Sequence, residues 1–213
     1  MKITKLGHCC LVIEEGSAKL LTDPGNFSTQ QSEIVGLDAI LITHEHADHL
    51  HVESLKTVLQ NNPTARIITN SAVAAILKKE SIRSEIVGDK QQTEVHDVLI
   101  EGFGKEHEYI YETVPNVENT GYFIGNKLFY PGDAFSDPGK QVDVLALPVA
   151  GPWMRLATAL DYAKQVGPRA CFPVHDGMIR EDRLGSAHRI PELTLVPLGI
   201  RFVSMKEGSV QEF

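Results

Sequence analysis

Four residues of metal-ligating type fall within six positions of this chain: His44, His46, Asp48 and His49, in the spacing H-x-H-x-D-H. Imidazole nitrogens and carboxylate oxygens are borderline ligands, suited to zinc, iron or manganese. The set is too rich for one ion. His44 and His46, two apart, can approach one cation from the same side, while Asp48 and His49 fall on the next stretch of turn and face a second position. Clustered or buried side chains of these types need partners, and a metal supplies them all at once. The flanking chain shows how they are positioned. Asp38 is followed by the apolar run Ala39, Ile40, Leu41 and Ile42, which reads as a buried strand. Residues 52–60 read as a helix with Val52, Leu55, Val58 and Leu59 on its apolar face. The four ligands therefore sit on a strand-to-helix turn, where side chains can converge at a sheet's edge.

A Thr-His-Glu-His-Ala-Asp-His turn after a hydrophobic strand resembles the motif of the metallo-β-lactamase-fold hydrolases. The resemblance extends along nearly the whole chain, because Asp23, His107, Gly132-Asp133 and His175 occur in the family's order. It implies an α/β fold (α+β in some schemes), a four-layer αββα sandwich with two sheets face to face and helices outside. Strand ends from both halves should meet at one edge and form the site. The implied ligands of one metal are His44, His46 and His107, and those of the other are Asp48, His49 and His175. Asp133 would bridge the two, since a carboxylate has two oxygens. Asp23, at a strand end before Pro24 and Gly25, would support a ligand histidine or the loop backbone together with Thr43.

The pair Gly7-His8 is similar to one near the N-terminus of the branch that includes ascorbate-phosphate lactonases and N-acyl-phosphatidylethanolamine phospholipases. On that likeness His8 lies beside the site and touches substrate, although a histidine between two strands is in itself an ordinary turn residue. Asp48 and His8 are thus the catalytic candidates.

Composition sets the outer limits. The chain has 213 residues, suited to a single domain over 1–213, and its 42% hydrophobic and 23% charged content is that of a soluble globular protein. No run approaches the ~20 apolar residues of a membrane span. Residues 1–6 lack the apolar core of a signal peptide, so a cytoplasmic location is expected. Cys9, Cys10 and Cys171 form no even framework, which agrees with a reducing compartment. The net charge of −8 argues against nucleic-acid partners. It leaves room for a small anionic substrate, because two divalent ions would make a pocket locally positive. An oligomer stays open.

In chain order, residues 3–6, 9–14 and 18–22 read as strands, with a turn at Glu15-Gly16-Ser17. Residues 66–69 read as a strand and 71–79 as a helix capped by Ser71, followed by strands at 86–87 and 95–100. Strands at 121–124 and 127–130 flank Gly125-Asn126; another covers 144–147, and a helix over 156–166 stops at Gly167-Pro168. A strand over 170–175 ends in His175, and strands at 201–204 and 209–213 close the chain. His51 and His96 read as solvated surface residues. His107 follows the run 99–103, and the loop 109–119 would cover the site, with Tyr109 and Tyr111 as substrate contacts or packing groups. Residues 176–192 read as loop and short helix near the site. Arg180, Arg183, His188 and Arg189 there either meet an anionic substrate group or lie on the surface.

Two ions about 3.5–4 Å apart can share and acidify a water. The leading expectation is therefore a dinuclear metal-dependent hydrolase, most simply zinc-loaded with manganese or iron as substitutes. It would use a metal-bridging hydroxide on a small ester, lactone or phosphodiester. The alternatives are an iron-dependent oxidoreductase on the same fold and a non-catalytic metal-binding protein. Against the first, the diiron flavoprotein branch has Glu where this chain has His46, and no flavodoxin-like domain follows. Against the second, the ligand set is complete.

Overall fold

Side chains alternate along the strands, and that alternation sorts the apolar residues into layers. The computed structural model describes residues 1–213, with the side chain of Glu181 left aside. Its first half holds β1 (Lys2–Gly7), β2 (Cys10–Glu15), β3 (Ala18–Thr22), β4 (Ala39–Ile42), α1 (Val52–Asn61), β5 (Arg66–Thr69), α2 (Ser71–Lys79) and β6 (Glu85–Ile86). The second half holds β7 (Gln92–Val95), β8 (Val98–Phe103), β9 (Gly121–Ile124), β10 (Leu128–Tyr130), β11 (Val144–Pro148), α3 (Leu156–Val166), β12 (Ala170–Val174), α4 (Gly185–Leu195), β13 (Arg201–Phe202) and β14 (Val210–Glu212).

Two seven-stranded sheets result, in the orders β14-β1-β2-β3-β4-β5-β6 and β13-β12-β11-β10-β9-β8-β7. Each joins an antiparallel meander to a parallel run: β3 to β6 in the first, β10 to β13 in the second. Leu11, Ile13, Leu20, Leu41, Leu128 and Phe172 point into the core between the sheets. Their sequence neighbours Val12, Leu21 and Ile40 pack under α1 and α2, and Phe129, Leu145 and Cys171 pack under α3 and α4. Helix, sheet, sheet and helix make the four-layer αββα sandwich.

Three local readings need correction. The strand expected over 95–100 is broken by a two-residue turn at His96 and Asp97, so that Val95 pairs with Val98 in a β7–β8 hairpin. His96 takes a left-handed φ of 54° there and bonds Asp38 Oδ1 at 2.8 Å, while Asp97 accepts from the Ser17 backbone and hydroxyl. The cap of α2 is Asn70, whose Oδ1 accepts from Val73 N at 3.0 Å; Ser71 Oγ donates to Glu118 instead. His51 also has a local task, since its Nδ1 accepts from Ser54 N and so caps α1.

Candidate metal centre

β4 ends at Ile42, and the next seven residues turn away from the sheet at the C-terminal ends of the parallel strands. That turn is braced by Asp23, which follows β3 and is fully buried. Asp23 Oδ1 accepts from Thr43 N at 2.8 Å. Its Oδ2 accepts from Thr43 Oγ1 at 2.8 Å, Tyr130 OH at 2.6 Å and His49 Nδ1 at 2.7 Å. With its proton given to Asp23, the Thr43 hydroxyl oxygen accepts from His44 Nδ1, 3.0 Å away. His107 donates Nδ1–H to Glu108 O at 2.6 Å. In each of these imidazoles the outward nitrogen carries the proton, which leaves the Nε2 lone pair free for a cation.

Asp133 arrives from the second sheet, on the turn after β10. Asn119 shapes that turn with both ends of its amide: Nδ2 donates to Pro131 O at 2.9 Å and Oδ1 accepts from Asp133 N at 3.0 Å. Gly132 has φ 66°, and a Cβ there would lie 2.4 Å from Asn119 Oδ1 and 2.8 Å from Thr43 Cβ. Only glycine lets this turn lie against the Thr43 turn of the other sheet. Asp133 Oδ2 is 2.8 Å from His175 Nε2 and 3.3 Å from His107 Nε2, while Oδ1 is 3.2 Å from His49 Nε2. His44 Nε2 and His46 Nδ1 face each other at 3.1 Å. His8, Asp23 and His175 all have positive φ (43°, 36° and 60°), a strain of about 1–3 kcal/mol each that the surrounding bonds must hold.

The donor atoms fit a metal. Those of His44, His46, His107 and Asp133 lie within 4.8 Å of one another. Among the described residues eight buried side-chain polar atoms lack a hydrogen-bond partner, and His49 Nε2, His107 Nε2, His175 Nε2 and Asp133 Oδ1 are four of them. Each such orphan costs about 1–3 kcal/mol, and four at one point describe a place for cations. A second group of nearby donors comprises His8, Cys9, His49 and His175. His8 is excluded from ligation by its tautomer: Gly177 N–H donates to His8 Nδ1 at 3.1 Å, so His8 Nε2 bears the proton and donates to Asp48 Oδ2 at 3.1 Å. Cys9 packs in the core between the sheets. Asp48 Oδ2, 3.5 Å from His175 Nε2 and 3.8 Å from His49 Nε2, completes this side.

The charges are tightly coupled. Burial first, then neighbouring imidazoles such as His49, hold His44 well below the ordinary imidazole pKa, and burial lowers His46 as well. Burial works the same way on His49 and His175, but there Asp133 and other anions outweigh it; His49 rises well above the ordinary value and His175 to about 10. Burial raises Asp133, yet His49 and His175 overcome it and keep the carboxyl well below its usual range. Two carboxylates among imidazoles that hold protons form a site where a cation can replace those protons.

A pocket of about 230 Å³ opens on the cluster, lined by His46, Asp48, His107, Asp133 and His175 together with mainly apolar residues. Roomier grooves, about 880 Å³ beside Arg66 and about 690 Å³ beside His188, contain none of the ligating residues. Several expected contacts lie elsewhere. His8 is buried behind Asp48 and lines a different cavity, so it holds Asp48 and does not reach the pocket. Tyr109 and Tyr111 point outward, 64% and 58% exposed, and Ile110 between them lines the pocket. Arg180, Arg183, His188 and Arg189 are absent from its walls; His188 bonds Asp176 and Ser204, both at 2.8 Å. Asn119, Tyr130 and Trp153 belong to the site without any motif announcing them. Trp153 packs edge-on against His107 and His175, with ring centroids 5.7 Å from each.

A family model described as the beta-lactamase superfamily domain matches residues 2–175, the span that carries every candidate ligand. This chain belongs to that family and has the metallo-β-lactamase fold. Protein Rv0786c of Mycobacterium tuberculosis is 40% identical over 200 residues, covering 91% of this chain and 93% of that protein. A UPF0173 metal-dependent hydrolase of Alkaliphilus metalliredigens is 27% identical over 192 residues, covering 82% and 85%. Among solved structures, Igni18, a metallo hydrolase from Ignicoccus hospitalis, aligns with a TM-score of 0.77 at 18% identity over 100% of this chain and 98% of that one. CmlA, a diiron β-hydroxylase from Streptomyces venezuelae, aligns at 0.76 with 13% identity, over 100% of this chain and 54% of that one. These two structural likenesses concern the fold.

Proposed function

We propose that the chain is a metal-dependent hydrolase with two divalent cations, zinc in the first place, acting on a small molecule in the cytoplasm. The observation that carries the reading is the convergence of His49 Nε2, His107 Nε2, His175 Nε2 and Asp133 Oδ1 on one spot, buried, within 3.3 Å of the facing carboxylate or imidazole, yet without a well-formed hydrogen bond. His44, His46 and His107 would hold one cation, Asp48, His49 and His175 the other, and Asp133, whose carboxylate faces both sets, would contribute to each. When bound, such a pair supplies Lewis acidity and acidifies water toward neutral pH.

The chain's own residues do the remaining work. Asp23 and Thr43 fix the tautomers of His49 and His44. His8 steadies Asp48 through its Nε2–H. Asp48, which lines the pocket, would accept a hydrogen bond from the attacking water. Trp153 and the apolar wall keep bulk water from the ligands. A protein nucleophile is not needed: Cys9, Cys10 and Cys171 are buried, and burial pushes the Cys171 thiol up to about 12. Among the described residues no helix is long and apolar enough to cross a membrane.

Metal analysis of the purified protein should give up to two ions per chain. The metal-saturated protein should hydrolyse at least one member of a panel of esters, lactones, phosphodiesters, amides and thioesters, and chelation should abolish that activity. Saturation at one ion would sink the dinuclear form, and a silent panel at full occupancy would sink the hydrolase. Occupancy by iron alone, with visible absorption bands, would favour an oxidoreductase.

A further inference from the structure

The walls of the pocket narrow the substrate, on the reading of this site as a hydrolase. Beyond the ligating groups they consist of Phe27, Ala47, Ile110, Pro152, Trp153 and Met178, with the Asn26 amide and the Trp153 indole N–H, a buried donor without a partner, as the further polar groups. Phe27 and Met178 each remain 46% exposed, large apolar groups left at the surface beside the cluster. Among the described residues no lysine or arginine lines the pocket. Two cations of the neighbouring segments are engaged elsewhere: Lys5 Nζ sits 2.7 Å from both oxygens of Asp176, and Arg180 makes two bonds to Asp182. Arg155, two residues after Trp153, is exposed and outside the lining.

Positive charge thus reaches a substrate only from cations on the pocket floor, and Asp48 and Asp133 already offset part of it. Phosphoryl transfer gathers charge on several oxygens and is served by Arg, Lys and metal-ion clamps together; these walls lack Arg and Lys, so the cations alone would have to serve it. A carboxylate on the substrate's side arm would lose hydration against Phe27, Ile110 and Met178, with only the neutral Asn26 amide and Trp153 indole N–H to replace it. The volume of about 230 Å³ is below the roughly 300–1,000 Å³ of sites for drug-sized ligands. We infer that the pocket selects uncharged esters or lactones with a short apolar arm, and that Phe27, Ile110 and Met178 set this specificity. In the reaction water adds across the acyl C–O bond, giving a carboxylate, an alcohol group and one proton.

The test compares 4-nitrophenyl butyrate with 4-nitrophenyl hemisuccinate, an ester of the same chain length ending in a carboxylate, and with bis(4-nitrophenyl) phosphate, on the metal-loaded full chain. The butyrate should have the higher kcat/KM by roughly 10–200-fold, the range over which apolar pockets discriminate. Met178→Lys should narrow or reverse the gap between butyrate and hemisuccinate. Equal or faster turnover of the hemisuccinate or the phosphate by the unaltered protein would overturn the inference while leaving the hydrolase intact. Binding has its own readout, because Trp153 is the only tryptophan in the chain. N-Butylacetamide should quench its fluorescence saturably in the metal-loaded protein. Saturable quenching with no ester hydrolysed would overturn the hydrolase reading and support the apolar pocket; a lack of saturable quenching would overturn the pocket assignment.

Discussion

His44 and His107 are braced by the residues next to them in sequence, whereas His49, Asp48 and His8 are braced across 26, 40 and 169 positions. The donors on one side of Asp133 therefore take their orientation largely from local chain. Those on the other side take it from Asp23 after β3, from the β1–β2 turn, and from Gly177 beyond β12. Behind Gly177 stands a buried network in which Asp176 binds Lys5 Nζ and His188 Nε2, and Lys5 also donates to Pro173 O at 2.8 Å. The difference teaches that one half of the site is oriented by adjacent residues, themselves anchored through Thr43 to Asp23, and the other by contacts that exist only in the closed fold. Distant substitutions, apart from those at Asp23, which holds Thr43, should reach chiefly the second half.

Asp133→Ala should have the largest effect, because its carboxylate faces both halves. Both ions should be lost, with affinity falling beyond the ~100-fold that outer-shell changes cost, as read by metal analysis and calorimetry. Retention of either ion at full strength would show that the halves are not joined there. Asp176→Asn comes next, since it leaves the Lys5 ammonium buried without a counter-charge, at a cost of about 3–5 kcal/mol in denaturant unfolding. Burial raises the Asp176 pKa, but His188 and Lys5 outweigh it, and the net shift is downward. The carboxylate's contribution is therefore complete above the unfolded value of about 3.9 and disappears as pH falls through the lower folded value. The Asn variant should lose that acid dependence.

His8→Ala should weaken one ion by about 10–100-fold and leave the ion at His44, His46 and His107 in place. Equal loss at both would break the comparison. The smallest effect is expected from His96→Ala, at the opposite end of β8 from His107. It should keep both ions and change stability by less than about 0.5 kcal/mol.

The H-x-H-x-D-H turn is legible in sequence because its residue types are rare in combination and its geometry is local. The sandwich is legible through alternation of the kind seen at Leu11, Val12 and Ile13, which assigns one face to the sheet interface and the other to the helices. What escapes is set by chain that meets only in three dimensions. Asn119 reads as one polar residue in a loop, yet it fixes the Asp133 turn. Tyr130 reads as core, yet its hydroxyl completes the Asp23 cage. The direction of His8 depends on a backbone N–H from the other end of the chain. The turn at His96-Asp97 was hidden because Val95 and Val98 continue an apolar pattern across it, and the partners that hold it, Asp38 and Ser17, are remote in sequence.

Asp133 and His175 come from the second sheet, while His44, His46, Asp48 and His49 come from the first. Ions held between them would rivet two plates together at one margin and leave the other margin, at β6 and β7, to the connecting segment and to bonds such as Arg66 to Thr93 Oγ1. Chelation should then act as removal of a mechanical fastener. Amide exchange should quicken around residues 43–50, 131–134 and 175–177 on both plates together, while the β6 and β7 margin keeps its original rate.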